Sequence, residues 1–173
     1  MGNRYVVGVD LGGTNVRASV FDDTGIPVLE NPVEQPSHAQ AGTVGIIEAI
    51  ARTIQQAITV SGVQPEAIGM AVPGHIDNET GVVRWSPNFG ESVNGVFICW
   101  RDQPLREPLS RYVNLPIVMG NDANLAALGE YRFGSGEGDA NCLVMLTVGT
   151  GIGGGVVMSP RSVFGKAEGP LML

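Results

Sequence analysis

Two periodicities alternate along this chain, and each marks a different kind of element. Tyr5 to Asp10 and Val16 to Asp22 are short β-branched runs separated by Leu-Gly-Gly-Thr-Asn, the pattern of two strands joined by a glycine turn. A third strand is expected near Pro27 to Pro32, after the turn-forming Asp23-Thr24-Gly25. From Thr43 to Thr59 the period changes: Val44, Ile47, Ile50, Ala51, Ile54 and Ile58 recur at spacings of three and four, which predicts an amphipathic helix ending at Ser61-Gly62. Ala67 to Val72 reads as a buried strand that stops at Pro73-Gly74, and a polar segment with turn signals follows to about Val96. Arg101 to Tyr112 predicts a short helix, Pro116 to Met119 a strand, and Asn124 to Phe133 a helix with alanines and leucines on one face. Asn141 to Val148 and Ile152 to Met158 are again strand-like runs around glycines.

Three strands, helix, strand, helix, strand, helix is the order of an α/β domain with a mixed sheet. The strand-glycine-strand device of residues 5 to 22 recurs at residues 142 to 158. Gly134 to Asp139 resembles a hinge between the two. The apolar face of the second hairpin is expected from Leu143, Met145, Val148, Val156 and Val157, and exposed strand edges there would favour a homodimer.

Composition narrows the class. The chain has 173 residues, 43% of them hydrophobic and 16% charged. No run reaches the roughly 20 consecutive apolar residues that a membrane-spanning helix requires, and the amino terminus enters a strand without an apolar signal core. Cytoplasm is the expected compartment, with no membrane partner. Cys99 and Cys142 stand alone, in no paired zinc or disulfide pattern. A formal net charge of −7 argues against nucleic acid as a partner, because phosphate backbones are held by clustered Lys and Arg. It leaves a nucleotide open, since a few phosphates can be held by backbone N–H groups and a metal ion.

Three segments carry candidate chemistry. In Val9-Asp10-Leu11-Gly12-Gly13-Thr14-Asn15, a carboxylate at a strand end precedes glycines that let the backbone approach a ligand. Asp10 near phosphates implies Mg²⁺ held directly or through water; the plain alternative is an ordinary hairpin turn with an exposed acid. The second cluster, Gly149-Thr150-Gly151-Ile152-Gly153-Gly154-Gly155, contains G-x-G-x-x-G, but Val156-Val157-Met158 and Pro160 follow it, which rules out the helix that a dinucleotide fingerprint must open. A second phosphate-binding hairpin fits better, with the Thr150 hydroxyl beside glycine N–H groups. In Gly120-Asn121-Asp122-Ala123-Asn124 a strand hands over to a helix. Asp122 there is either a helix cap or a base that takes a proton from an attacking hydroxyl, and the spacing does not choose.

Asp-Leu-Gly-Gly-Thr-Asn-Val-Arg, Val-Pro-Gly-His-Ile-Asp, Ser-Pro-Asn, Asn-Asp-Ala-Asn with Ala-Ala-Leu-Gly-Glu, and Gly-Thr-Gly-Ile-Gly-Gly-Gly occur in the order found in ROK kinases. Over residues 4 to about 158 the chain resembles that family of sugar kinases. The resemblance implies the actin-like ATPase architecture, with a ribonuclease-H-like lobe on each side of a cleft, mixed sheets and flanking helices. It implies that residues 1–135 form the amino-terminal lobe, 136–141 the hinge, and 142–173 the first hairpin of a second, truncated lobe. It further implies that Asp10, Gly12, Gly13 and Thr14 meet the phosphates of ATP and Mg²⁺, with Thr150 and Gly151 approaching from the other lobe. Asn121 and Asp122 take the places of the sugar-binding asparagine and the catalytic base, and Gly74 and Asn88 those that line the sugar pocket. His75 reads as a loop residue. The implied reaction is phosphorylation of a hexose, glucose at its 6-hydroxyl foremost.

The family's Gly-Glu-x-Gly-His segment and its Cys-x-Cys-Gly-x-x-Gly-Cys loop, which bring further sugar contacts and a structural zinc, do not occur in this sequence. A sugar-binding module without catalysis is therefore the rival expectation. A ROK-type regulator would need a DNA-binding helix-turn-helix ahead of Tyr5, where only four residues stand.

Overall fold

A computed structural model describes residues 4–135, 140–148, 152–159 and 171–172. The chain divides into two compact units, Met1–Gly120 and Asn121–Leu173. The boundary expected from sequence, after residue 135, differs from this division, which assigns the helix following Gly120 to the second unit.

In the first unit, β1 (Tyr5–Leu11) and β2 (Asn15–Asp22) pair antiparallel, from Tyr5 opposite Asp22 to Leu11 opposite Val16. β3 (Val33–Pro36) adds to β2, and β4 (Ala67–Val72) runs parallel to β1. With β8 (Ile117–Asn121) these make a five-stranded mixed sheet in the order β3-β2-β1-β4-β8. Strand alternation turns Val7, Val9 and Leu11 of β1 and Val16, Ala18 and Val20 of β2 into the core. The helix α1 (Gly42–Ser61) buries Ile46, Ile50 and Ile54 with them and stops at Gly62, a left-handed C-cap.

The third strand lies later than its sequence pattern suggested. Around Pro27 there is only an isolated bridge to Phe21, and pairing with β2 begins at Val33, because Pro27 and Pro32 have no N–H to give a ladder. The polar stretch after Val72 is also structured. β5 (His75–Asp77), β6 (Val82–Val93) and β7 (Val96–Pro104) form a three-stranded antiparallel sheet. Its ribbon turns at Asn94 and Gly95, both with positive φ (52° and 78°), as a tight hairpin requires. The helix expected from Arg101 shrinks to α2 (Arg106–Ser110), since Arg101 and Gln103 pair with β6.

The second unit holds α3 (Asp122–Phe133) and a sheet in the order β11-β10-β9, made of β9 (Cys142–Val148), β10 (Ile152–Met158) and β11 (Leu171–Met172). Ala127 and Tyr131 of α3 meet Val157, with Leu143 and Met145 packed beside them. Three residues expected on an exposed hairpin face are thus turned onto the helix. The outward face keeps Val148 from the expected set and adds Val144, Leu146 and Ile152, with Val148 and Ile152 each 82% exposed. Period-two alternation explains the exchange: the expected set mixed residues from both faces.

Candidate functional site

In the first unit, the turn between β1 and β2 is closed by the Gly12 N–H, which donates to the Asn15 carbonyl at 2.8 Å. A Cβ on residue 12 would stand 2.9 Å from that same oxygen, so the closure needs glycine. Neither Gly12 nor Gly13 has a positive φ; close approach, not backbone hand, is what Gly12 supplies. Gly13 and Thr14 are exposed, and the Thr14 carbonyl accepts from the Ser37 N–H at 2.9 Å, which fixes the turn to the segment after β3. That link joins residues far apart in sequence, and no local pattern announces it.

Asp10 is exposed near the end of β1, opposite Arg17 in register. The Arg17 guanidinium is held above its ordinary range chiefly by its 2.5 Å hydrogen bond to Glu34, with a weaker attraction from Asp10. Mg²⁺ is commonly held by one or two carboxylates, with waters and phosphate oxygens completing its shell. A single exposed carboxylate beside an open glycine turn fits that demand. Among the described residues no group of three or more His, Cys, Asp or Glu could hold a metal by itself.

Gly74, between β4 and β5, has a φ of 108°. A Cβ there would lie 2.2 Å from the Trp85 carbonyl oxygen and 3.0 Å from the Ser86 Cα, so the two backbones are in direct contact. Downstream of Ser86 the β6–β7 register shifts before Gly90, which takes Pro87, Asn88 and Phe89 out of the ladder. Irregularities of this kind re-aim side chains. Phe89 is fully buried and stacks on Trp100 with ring centroids 5.2 Å apart, and its neighbour Asn88 is left exposed. Among the described residues beyond its own chain neighbours, the Asn88 Cβ is the one heavy atom within 4 Å of a Cβ built on Gly13, at 3.8 Å. Within this unit, then, the Gly12–Thr14 turn, Gly74 and Asn88 all meet along the Trp85–Asn88 stretch. His75 is exposed on β5.

In the second unit, Asn121 is the N-cap of α3. Its backbone is extended, and its side-chain oxygen accepts from the Asn124 N–H at 3.1 Å. Asp122 is therefore relieved of capping and is the first residue of the helix, half-buried, with Oδ1 accepting from the Ala123 N–H at 2.9 Å. A carboxylate here is favoured by the positive end of the helix. Thr150 and Gly151 lie outside the described residues. Two of the glycines that follow them serve packing: a Cβ on Gly155 would be 2.7 Å from the Ala127 Cβ and 3.0 Å from the Ala123 carbonyl, and one on Gly153 would be 3.2 Å from the Ala123 Cβ. They let α3 lie directly on β10.

The sequence pattern of the ROK family matches residues 6–169. A glucokinase of Streptomyces coelicolor is 37% identical over 155 residues, covering 90% of this chain and 44% of that protein. A xylose repressor of Caldicellulosiruptor bescii is 37% identical over 100 residues, 58% of this chain and 23% of the repressor. Among solved structures, a ROK family glucokinase from Streptomyces griseus, in complex with glucose and AMPPNP, superposes with a TM-score of 0.75 at 35% identity, over 91% of this chain and 45% of that one. This chain thus spans less than half the length of either glucokinase. The α/β class with a mixed sheet, and the actin-like ATPase fold, agree with these structures. Matched by one family pattern from β1 into the tail, the chain belongs to the ROK family.

Proposed function

We propose that this chain supplies the amino-terminal part of an ATP-dependent hexose kinase of the cytoplasm, with glucose and its 6-hydroxyl as the preferred acceptor. The observation that carries the reading is the contact of Gly13 with Asn88: a turn suited to phosphate oxygens and an exposed amide suited to sugar hydroxyls share one wall. The likeness to glucokinases supports the substrate through its identity, 37% over 90% of this chain, against 30% over 95% of it for a putative xylose repressor of Caldicellulosiruptor.

In this reading Gly13 and Thr14 offer the turn to the phosphates, and Thr150 and Gly151 do the same from the second hairpin. Asp10 holds Mg²⁺, most simply through water; the ion would neutralise charge on the transferred phosphoryl group. Gly74 keeps the Trp85–Asn88 backbone close so that Asn88 can bind sugar hydroxyls, and Asn121 is a second amide for that role. Asp122 accepts the proton of the hydroxyl that attacks phosphorus, and catalysis comes largely from positioning and charge neutralisation.

The test is Asp122→Asn in the full-length enzyme that carries this chain. Loss of a general base lowers kcat by about 10²- to 10⁴-fold with the KM for glucose little changed. An unchanged kcat would leave Asp122 as a helix-start residue only. A chain that binds glucose but transfers no phosphoryl group from ATP in any complete form would favour the non-catalytic sugar-binding module.

A further inference from the structure

Glu34 of β3 accepts two hydrogen bonds from β2, one on each carboxylate oxygen. The Asn15 side-chain amide donates to Oε1 and the Arg17 Nε–H to Oε2, both at 2.5 Å. The two donors stand two residues apart on one strand, so they share a face of the sheet. The same face carries Asp10, because Asp10, Arg17 and Glu34 lie opposite one another across β1, β2 and β3. Arg17 thus has a carboxylate in register on either side, and its ion pair is with Glu34.

This fork reaches the glycine turn. Asn15 is the residue on which the turn closes: its carbonyl accepts from the Gly12 N–H, while its side chain is held by Glu34. One position earlier, the Thr14 carbonyl accepts from the N–H of Ser37, just beyond β3. The carbonyls of residues 14 and 15 are therefore both engaged within the chain. A phosphate cradle needs that arrangement, since carbonyl oxygens repel phosphate oxygens and N–H groups attract them. Gly12 and Gly13 have no side chains with which to hold the turn, so part of the hold comes from the short segment that carries Glu34 and Ser37.

Exposure separates this role from a purely structural one. The Arg17 and Glu34 side chains are 53% and 41% exposed, and pairs so open to water add little to the stability of a fold. What the fork fixes is local: the orientation of the Asn15 side chain and, through it, of the peptide that closes the turn. It also keeps the Arg17 charge on the β3 side of the row, where Glu34 balances it.

We propose that Glu34 is a positioning residue for nucleotide, holding the Gly12–Thr14 turn through Asn15 and Arg17 in the shape that meets phosphate oxygens. The inference rests on the reading of that turn as a phosphate site. In the full-length enzyme that carries this chain, Glu34→Ala should raise the KM for ATP and the Kd for AMPPNP together, each about threefold or more, with no matching rise in the KM for glucose. Glu34→Gln should recover most of the loss, because its amide oxygen still accepts from Arg17 and its NH₂ can donate to Asn15 once that side-chain amide turns over. Asn15→Ala should weaken AMPPNP in the same direction, and adding it to Glu34→Ala should cost nothing further, as for residues that act as one unit. An unchanged Kd for AMPPNP in Glu34→Ala, equal rises in KM for ATP and glucose, or full addition of the two single effects overturns the inference. A parent enzyme that binds no AMPPNP fails earlier, at the reading of the turn itself; a parent that binds it, with a Glu34→Ala variant that binds it equally well, removes the role of Glu34 alone.

Discussion

Gly13 and Asn88, far apart in sequence, are neighbours: a Cβ on residue 13 would stand 3.8 Å from the Asn88 Cβ. That separation is ordinary van der Waals contact, so a methyl group fits and a branched side chain does not. Gly12 differs, with the Asn15 carbonyl oxygen only 2.9 Å from its notional Cβ.

The two glycines should therefore separate by experiment. Gly13→Ala is expected to stay within about 0.5 kcal/mol of the parent in urea unfolding, whereas Gly12→Ala should lose about 1–3 kcal/mol as the hairpin turn opens. In the active enzyme, Gly13→Val should raise KM for both ATP and sugar, since its branch reaches the phosphate face and presses on Asn88. A rise for ATP alone would mean that residue 88 takes no part in the sugar site.

Gly74→Ala should be damaging for two reasons, a positive φ of 108° and a Cβ placed 2.2 Å from the Trp85 carbonyl oxygen. A loss of about 1–3 kcal/mol is expected, with amide shifts concentrated at Trp85 to Phe89. Shifts confined to Pro73–His75 would show that the contact does not position Asn88.

In the second unit, Gly155→Ala would drive a methyl group into Ala127 and the Ala123 carbonyl. Lifting α3 off β10 should cost about 1–3 kcal/mol and speed hydrogen exchange in both elements. Gly154→Ala, on the opposite face of the strand, should be milder, with its nearest neighbours at 3.0 and 3.3 Å. Equal effects would deny Gly155 its packing role.

Asp77 gives the first unit a pH dependence. The Thr80 backbone N–H, followed by the Arg84 guanidinium at 2.6 Å, lowers its carboxyl from 3.8 to about 2. A group whose folded value is depressed stabilises above its unfolded value and loses that contribution as pH falls through the folded one. Urea midpoints should therefore fall between about pH 4 and pH 2, and the gap between the parent and Asp77→Asn should narrow over the same window. A gap that is constant from pH 5 to pH 2 would reject the assignment.

Locally specified features were legible without coordinates. The β1–turn–β2 hairpin, α1, β4 and the strand-to-helix passage at Gly120–Asn124 follow from periodicity and turn residues that act over a few positions. The ordered glycine and asparagine motifs pointed to the family for the same reason. The β6–β7 ribbon was harder to read because Pro87 and the register shift break its alternation, although Asn94-Gly95 between valines was a hairpin signal in plain sight.

By itself the sequence determined the β1–β2 hairpin, α1, β4 and the body of α3, which glycine clusters exclude a helix, and which carboxylates and amides stand at the ends of those elements. Tertiary structure alone decided that Asn88 points outward beside Gly13 while Phe89 is buried, and that Gly153 and Gly155 serve helix packing. The physical reason is range. Propensity, capping types and turn chemistry act between near neighbours, whereas the space beside a glycine and the aim of a side chain next to a bulge depend on backbone brought in from distant parts of the chain.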